Sequence, residues 1–359
     1  MASAGSSASN DRRLTATGLA LAALALLAAS AAALVAEPRL TRFEFEQPHM
    51  GTTFRVVLYA ADAREASRLA AAAFARIAAL DARFSDYRPG SELSRLSDAP
   101  AGRLVPVSPD LFRLLEQAQA FSRRSKGAFD ITVGPLSRLW RRAHRQRTLP
   151  ASEELEAARA LVGHEQLSLH GDSQSVVLAR TGMRLDPGGI AKGFAADAAL
   201  ATLREGGVTR ALVAAGGDLA IGEAPPDRPG WRITLAGLDP ASEAPGSPLL
   251  LARRGVSTSG DTEQWVEIEG RRYSHIVDPR TGLGVQGRSV AIVVAPSATT
   301  SDMLATAASV LGPGEGLELV EGVPGAAGLV GARTAGGDRW RKSRGWPPAP
   351  AGDPSKVMR

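Results

Sequence analysis

A pair of adjacent glycines between a carboxylate and a lysine is the feature that most restricts how this chain can fold. Residues 185–193 read Leu-Asp-Pro-Gly-Gly-Ile-Ala-Lys-Gly and precede an alanine-rich helical run. Adjacent glycines allow a sharp turn and a close approach of the backbone to a ligand. A helix that begins there presents free N–H groups and a positive dipole end, which favour an anion. The segment predicts either an anion-binding turn that uses Asp186 and Lys192, or a plain glycine turn between a strand and a packed helix.

The positive charge is distributed unevenly along the 359 residues. The formal net charge is +5, and the residues from Ala332 onward account for all of it, with seven Lys or Arg against two Asp. The preceding part of the chain is therefore neutral overall, which argues against a nucleic-acid partner. A second basic cluster, residues 138–147, is interpreted as a solvated loop. The chain has no cysteine, which excludes disulfides and thiolate chemistry.

The N-terminal segment predicts export. Arg12 and Arg13 precede an uncharged run, residues 14–36, that is 23 residues long. About 20 apolar residues span a bilayer, but this run is mostly alanine and leucine, so membrane retention would be marginal. Small residues near its end offer signal-peptidase-like sites. We expect residues 1–36 to be an export signal or an N-terminal anchor, and the sequence leaves cleavage open.

Hydrophobic periodicity predicts one mixed α/β domain over residues 43–346. The strongest helix covers residues 63–84, with Asp62 as its N-cap. Residues 127–139 mix strand and turn residues, and the Pro/Gly/basic stretch 347–359 predicts a disordered tail. Other helices are predicted at 108–121, 153–161, 193–205 and 300–311, and strands at 43–59 (two, broken at 49–53), 167–169, 175–178, 211–213, 231–235, 249–251, 265–268, 290–294 and 328–331.

Polar clusters recur at predicted turns, where binding and catalytic residues concentrate. In their order along the chain and in their residues, these clusters resemble the motifs of the FAD:protein FMN transferase family, the ApbE-type flavin transferases, over residues 50–319. The motifs that carry the resemblance are Met50-Gly51-Thr52, Phe-Ser-Asp-Tyr at 84–87 with Ser-Glu-Leu-Ser-Arg at 91–95, Phe-Asp-Ile-Thr-Val-Gly-Pro-Leu at 129–136, Gly-Gly-Ile-Ala-Lys-Gly at 188–193, Ala-Gly-Gly-Asp at 215–218, Ser-Gly-Asp at 259–261, Tyr-Ser-His-Ile-Val-Asp-Pro-Arg-Thr-Gly at 273–282, and Ala-Pro-Ser at 295–297 with Asp302 and Thr306.

The resemblance implies a mixed α/β (α+β) fold, with antiparallel sheets packed against helices in a single catalytic domain. It implies FAD as substrate and Mg²⁺ as cofactor. The enzyme would cleave the FAD pyrophosphate, attach FMN through a phosphoester to a threonine of a target protein, and release AMP. Proteins of this kind are typically exported to the periplasmic side of the inner membrane, in agreement with the N-terminal segment, whether cleaved and soluble or anchored.

Three residues are predicted to hold the metal ion. Asp302 and Thr306 are four apart in a predicted helix and so share a face. On their own they would be ordinary helix-surface residues, and the resemblance supplies their role together with the carbonyl of Gly189. Carboxylate, hydroxyl and carbonyl oxygens suit Mg²⁺, which would act as Lewis acid and template at the pyrophosphate.

His275 is the predicted catalytic base. A threonine hydroxyl is a weak nucleophile and benefits from a base that titrates near neutrality, and the resemblance places the family's base here. The alternative is a structural histidine in a strand. The FAD contacts implied by the resemblance, each with core packing or turn formation as its alternative, are Met50, Tyr87, Ala128, Phe129, Asp130, Asp186, Lys192 and Ile276.

Two positions depart from the family pattern, and two other functions stay open. Pro187 stands where leucine is common and removes a backbone donor, and Gln264 stands where arginine is frequent. The two functions that remain as alternatives to FMN transfer are hydrolysis of FAD to FMN and AMP, and non-catalytic binding of FAD.

Acceptor proteins of this family resemble the pattern Asp-x-x-Ser/Thr-Gly/Ala-Ala/Ser/Thr-Thr. The closest match here ends at Thr300 but has Val294 at the aspartate position, so we expect a separate exported or membrane-bound acceptor.

Overall fold

The computed structural model describes residues 39–239, 241–262 and 264–347. The predicted export segment, residues 1–36, and residues 348–359 of the predicted tail lie outside the described residues. None of the helices within the described ranges is both long and apolar enough to cross a bilayer. The residues from Arg42 onward group into one unit, and the predicted domain, residues 43–346, lies within it.

Helices and strands follow one another irregularly along the chain. The α-helices are α1 (Ala63–Phe84), α2 (Glu92–Ser97), α3 (Pro109–Arg124), α4 (Gly134–Gln146), α5 (Ser152–Arg159), α6 (Ala191–Glu205), α7 (Ala298–Leu311) and α8 (Glu315–Glu321). The strands are β1 (Thr41–His49), β2 (Thr52–Ala60), β3 (Val105–Pro106), β4 (Leu167–His170), β5 (Ser175–Leu178), β6 (Ala211–Ala215), β7 (Asp218–Ile221), β8 (Trp231–Ile233), β9 (Leu249–Leu251), β10 (Arg254–Gly260), β11 (Trp265–Ile268), β12 (Arg271–Val277), β13 (Gly284–Gln286), β14 (Ser289–Ala295), β15 (Ala327–Thr334) and β16 (Gly337–Lys342).

The main sheet has eight strands in the order β1-β2-β6-β7-β10-β14-β15-β16. Its pairings from β2 to β16 are antiparallel. The structure also contains three small sheets, β11-β12-β13, β3-β5-β4 and β8-β9. The antiparallel sheets and packed helices confirm the predicted α+β fold class.

Alternation along the strands gives the main sheet two buried faces. Phe54, Val56 and Leu58 of β2 pack into the larger core, whereas Val57 packs into a separate core on the opposite face, because successive side chains of a strand point to opposite sides. Helices α1, α6 and α7 contribute to the first core. The β8-β9 hairpin covers the second through Trp231 and neighbouring apolar residues.

The sequence prediction was wrong at helix α4. Residues 127–139 were predicted as strand and turn, and residues 138–147 as a solvated loop, but Gly134–Gln146 is a helix with proline in its first turn. Leu136 and Trp140 are buried on its inner face, in a third core shared with Val266 and Tyr273 of the β11-β12 hairpin. The β-branched residues before the helix favour a strand locally, and packing against β12 overrides that preference.

Several shorter elements were also not predicted. They are helices α2 and α8 and strands β3, β7, β10, β12, β13 and β16. Much of the positive charge that follows Ala332 lies on the edge strand β16 and its neighbour β15, where charged side chains protect an edge from unwanted strand pairing.

Candidate active site

The turn before helix α6 brings the predicted polar residues together. The Asp186 amide donates to the Ile131 carbonyl (2.8 Å), and its Oδ1 accepts from the Gly188 amide (2.9 Å). Pro187 lacks a donor, but its carbonyl accepts from the amides of Ile190 (3.0 Å) and Ala191 (2.8 Å). These two amides at the start of α6 are therefore occupied within the protein.

Helix α7 places Asp302 and Thr306 beside this turn. Asp302 is 1% exposed, and its Oδ2 accepts from the Gly193 amide at 3.0 Å. A Cβ placed on Gly189 would lie 2.9 Å from Thr306 Oγ1, so the backbone at Gly189 approaches the threonine as closely as only a glycine permits. The three predicted metal ligands therefore lie on two adjoining segments of the structure.

Lys192 lies between two carboxylates. Its Nζ donates to Asp218 Oδ2 and is 3.9 Å from Asp302 Oδ2. Desolvation lowers the pKa of this lysine, but the charges of Asp218 and Asp302 outweigh it and raise the pKa overall, so the lysine stays charged. Asp218 was part of a motif noted in the sequence but was not predicted as a site residue. Its position at the start of β7, after two glycines, was the signal available.

Burial makes the Asp302 carboxylate unusual. Desolvation, followed by the nearby charge of Asp218, raises its pKa to about 7, although Lys192 opposes the shift. A buried carboxylate that is costly to ionise favours a bound cation. The described residues contain no cluster of three or more His, Cys, Asp or Glu side chains suited to a metal, so a metal here would depend on one carboxylate with hydroxyl and carbonyl oxygens.

His275 lies on strand β12 and is oriented by a main-chain carbonyl. Its amide (3.2 Å) and its Nδ1 (3.1 Å) both meet the carbonyl oxygen of Gln264. Because a carbonyl only accepts, Nδ1 carries the proton and Nε2 is left as a free base. The side chain of Gln264 takes no part in this contact, so the departure from arginine leaves the orientation of the histidine intact.

The environment of His275 keeps its imidazole neutral. Although the ring is accessible to solvent, the surrounding protein desolvates it in part. This desolvation lowers the pKa, as do the positive charges of Lys192 and His144, while the hydrogen bond to Gln264 opposes the shift. His275 is therefore available as a proton acceptor at neutral pH.

The predicted FAD contacts occupy different environments. Met50 forms the β1-β2 turn with Gly51, and both have positive φ, as a two-residue hairpin requires. Ile276 is half-buried beside His275, whereas Ala128 is buried. Tyr87 is 73% exposed. Met50 packs against the larger core, and the roles of Met50 and Ile276 in binding FAD stay predictions.

Phe129 and Asp130 are held by the protein itself. Phe129 packs edge-on against Phe121 at 5.4 Å between ring centroids, and its Cε2 would lie 3.1 Å from a Cβ on Gly189. Asp130 Oδ1 accepts from Thr132, and Oδ2 accepts from the His164 amide at 2.8 Å. Phe129 therefore lies against the turn at Gly189, whereas the carboxylate of Asp130 is occupied by Thr132 and His164. Direct contact of either with FAD stays a prediction.

We expect Gly193→Ala to destabilise the protein. The added methyl group would collide with the Ala298 carbonyl and lie 2.9 Å from Asp302 Cβ. Overpacking of this kind costs about 1–3 kcal/mol, and thermal denaturation would measure it. Gly171→Ala is the matched control because a Cβ there meets nothing within 4 Å. Equal melting temperatures for the two variants would contradict a tight α6–α7 contact.

Comparison with known proteins shows similarity over most of the chain. Residues 50–330 match the ApbE family. A protein of Escherichia coli (strain K12) named FAD:protein FMN transferase is 30% identical over 280 residues, covering 76% of this chain and 79% of its own length. A Vibrio cholerae serotype O1 protein of the same name is 30% identical over 307 residues, covering 84% and 90%. The solved apo form of Pseudomonas stutzeri flavinyl transferase ApbE has a TM-score of 0.75 and 33% identity, covering 85% of this chain and 95% of its own.

Proposed function

This chain belongs to the ApbE family and is an enzyme that transfers FMN from FAD to a target protein; we propose, beyond this, that transfer depends on Mg²⁺ and that a threonine hydroxyl is the acceptor. The observation that carries the proposal is the convergence of Gly189, Asp302 and Thr306 beside Lys192. Hard oxygen donors next to the charged ammonium group of Lys192 suit a pyrophosphate substrate.

The residues at the α6 turn fit a magnesium ion. Asp302 supplies a buried carboxylate of raised pKa, Thr306 a hydroxyl, and Gly189 a carbonyl next to it. Mg²⁺ prefers such oxygen ligands and keeps water and phosphate oxygens besides. When bound, it would supply charge neutralisation at the pyrophosphate. A cation would also relieve the repulsion between Asp302 and Asp218, which Lys192 offsets only in part.

The side chains of the site divide the remaining chemistry between them. Nε2 of His275 accepts the proton of the threonine hydroxyl as its oxygen attacks the phosphorus on the FMN side of FAD. The bond from that phosphorus to the bridging oxygen breaks, and AMP leaves with the electron pair. Lys192, which has three donors and uses one on Asp218, holds the negative charge of the phosphates. FMN is then joined to the threonine by a phosphoester.

The acceptor is proposed to be a separate protein. Thr300, the nearest internal match to an acceptor motif, lies in the first turn of α7, and its Oγ1 is 2.9 Å from Oγ of the N-cap Ser297. This contact supports the proposal that Thr300 is not a nucleophile. The uncharged run at residues 14–36 supports an exported or membrane-bound partner on the periplasmic side.

A synthetic peptide carrying the Asp-x-x-Ser/Thr-Gly/Ala-Ala/Ser/Thr-Thr pattern tests the reaction. We expect the peptide, incubated with enzyme, FAD and Mg²⁺, to gain one FMN phosphoryl group by mass spectrometry, with one AMP released for each adduct. A peptide with valine as its last residue should stay unmodified, and so should the enzyme alone. AMP release that is independent of any acceptor would instead support FAD hydrolysis, and FAD binding without AMP would support a non-catalytic flavin-binding protein.

A further inference from the structure

We propose that Arg141 is a positioning residue for FAD, a role that rests on the proposed function and deepens it. The residue lies in α4, in the basic cluster that the sequence indicated as a solvated loop. Its Nη1 donates to Asp86 Oδ2 at 2.6 Å and its Nη2 to Asp186 Oδ2 at 3.1 Å. One guanidinium thus joins two motifs that are about a hundred residues apart in the chain.

The same guanidinium holds the ring of Tyr87. Its central carbon lies 4.3 Å from the ring centroid, a cation–π distance. Arg141 covers one face of the ring, yet the tyrosine is 73% exposed. A large aromatic side chain that is both exposed and fixed in orientation is suited to stack on a flat ligand ring. Arg141 is therefore placed to hold Tyr87 ready for a ring of FAD.

Arg141 also fixes the turn that leads to the proposed metal ligand. While Oδ2 of Asp186 accepts from Arg141, Oδ1 accepts from the Gly188 amide at 2.9 Å. The carboxylate therefore bridges the arginine to the residue before Gly189. A change at Arg141 releases one side of this bridge, and the effect reaches the turn without any contact between Arg141 and the reacting atoms.

Charge balance depends on the same arginine. Burial, and then the charge of Asp186, raise the pKa of Asp86, while Arg141 opposes the shift. Two partly buried carboxylates next to a substrate that carries phosphates are unfavourable unless a cation compensates them. An arginine suits this place better than a lysine because its planar donors can reach two carboxylates and stack on a ring together.

Substitution of Arg141 tests the inference through FAD binding. We expect Arg141→Met to raise the Kd for FAD at least about tenfold, the scale of a lost charge-assisted contact near a ligand. The kcat at saturating FAD should change much less, because His275 and Asp302 are untouched. The Kd of Arg141→Lys for FAD should lie between those of the wild type and Arg141→Met, since lysine keeps the charge but not the planar donors.

Arg142→Met is the matched control on the same helix. Arg142 pairs at 2.5 Å with Glu154, and both side chains are exposed, so its loss should leave FAD binding unchanged. A second variant separates charge balance from direct contact with the ligand. In the Arg141→Met background, Asp86→Asn should restore part of the FAD affinity, because it removes one of the two unpaired carboxylates. A direct phosphate contact by Arg141 would not be restored in this way.

The outcomes distinguish this inference from the proposed function. Wild-type protein that transfers FMN, together with unchanged FAD affinity in both Arg141 variants, would overturn the role of Arg141 alone. Weakened binding without any recovery by Asp86→Asn would also overturn it. Wild-type protein that fails to bind FAD would overturn the proposed function and the inference together. If Arg141→Met does not fold by circular dichroism, Arg141→Lys and Asp86→Asn provide the same comparison.

Discussion

Asp302→Asn is expected to lower the Mg²⁺-dependent transfer rate at least about 10³-fold, which corresponds to roughly 4 kcal/mol of transition-state stabilisation. The asparagine keeps the shape of the side chain and an acceptor for the Gly193 amide, so the fold should persist. FAD binding should persist at reduced affinity, because Lys192 and the Asp186 turn remain. Steady-state transfer assays over a range of Mg²⁺ concentrations, with FAD binding measured by flavin fluorescence, would check both expectations.

Substitutions at two of the three threonines of helix α7 complete this experiment. Thr306→Val should also weaken the dependence on Mg²⁺, because it replaces the hydroxyl beside Gly189 with a methyl group. Thr300→Val is the matched control: it lies on the same helix, and its hydroxyl contacts only the N-cap region. If Asp302→Asn and Thr306→Val both transferred at the rate of Thr300→Val at limiting Mg²⁺, the metal assignment would be wrong.

His275→Ala is expected to lower the transfer rate by about 10² to 10⁴, the range typical of general acid–base catalysis. The fold and FAD binding should remain, since the ring is accessible to solvent and its hydrogen bond to the Gln264 carbonyl is a surface contact. His170→Ala, an exposed histidine on β4, is the control and should transfer like the wild type. Equal rates for both alanine variants would show that His275 is not the base.

The pH dependence gives His275 a separate signature. Because the pKa of the imidazole is lowered, the neutral form that accepts a proton already predominates at neutral pH. With Mg²⁺ saturating, so that Asp302 stays ionised, wild-type transfer should therefore stay level through neutrality and fall as the pH drops through the lowered pKa, where the ring becomes charged. The alanine variant should lack this fall and should gain rate at raised pH, where more threonine alkoxide is present. Rate profiles for kcat/KM in the two proteins would test this.

Local signals in the sequence were sufficient for much of the fold. The apolar spacing of residues 63–84 and the N-cap at Asp62 predicted α1, and Asp62 Oδ1 does accept from the Glu65 amide at 2.9 Å. The break near Met50 predicted the division of residues 43–59 into two strands, which the structure shows as β1 and β2 joined at Met50 and Gly51. Capping, turns and periodicity act over a few residues, so they can be recognised without the tertiary structure.

Helix α4 shows where local signals were insufficient. Its Trp140 packs into the third core: the indole nitrogen donates to the Gly282 carbonyl at 2.7 Å, and the ring centroid lies 5.2 Å from that of Tyr273. These partners are more than a hundred residues away in the chain. The residues of α4 alone did not indicate them, and the predicted loop followed from the basic residues that cover its outer face.

The candidate active site likewise has features that the sequence predicted and features that only the tertiary structure shows. The sequence by itself determined the family, through its ordered motifs, and the four-residue spacing that puts Asp302 and Thr306 on one face of a helix. Only the tertiary structure decided that Lys192 pairs with Asp218, that the Gln264 carbonyl selects the tautomer of His275, and that Arg141 joins Asp86 to Asp186. The physical reason is that helix period and turn chemistry are set by neighbouring residues. Pairings between distant charges instead depend on strand register and helix packing, which the whole chain fixes together.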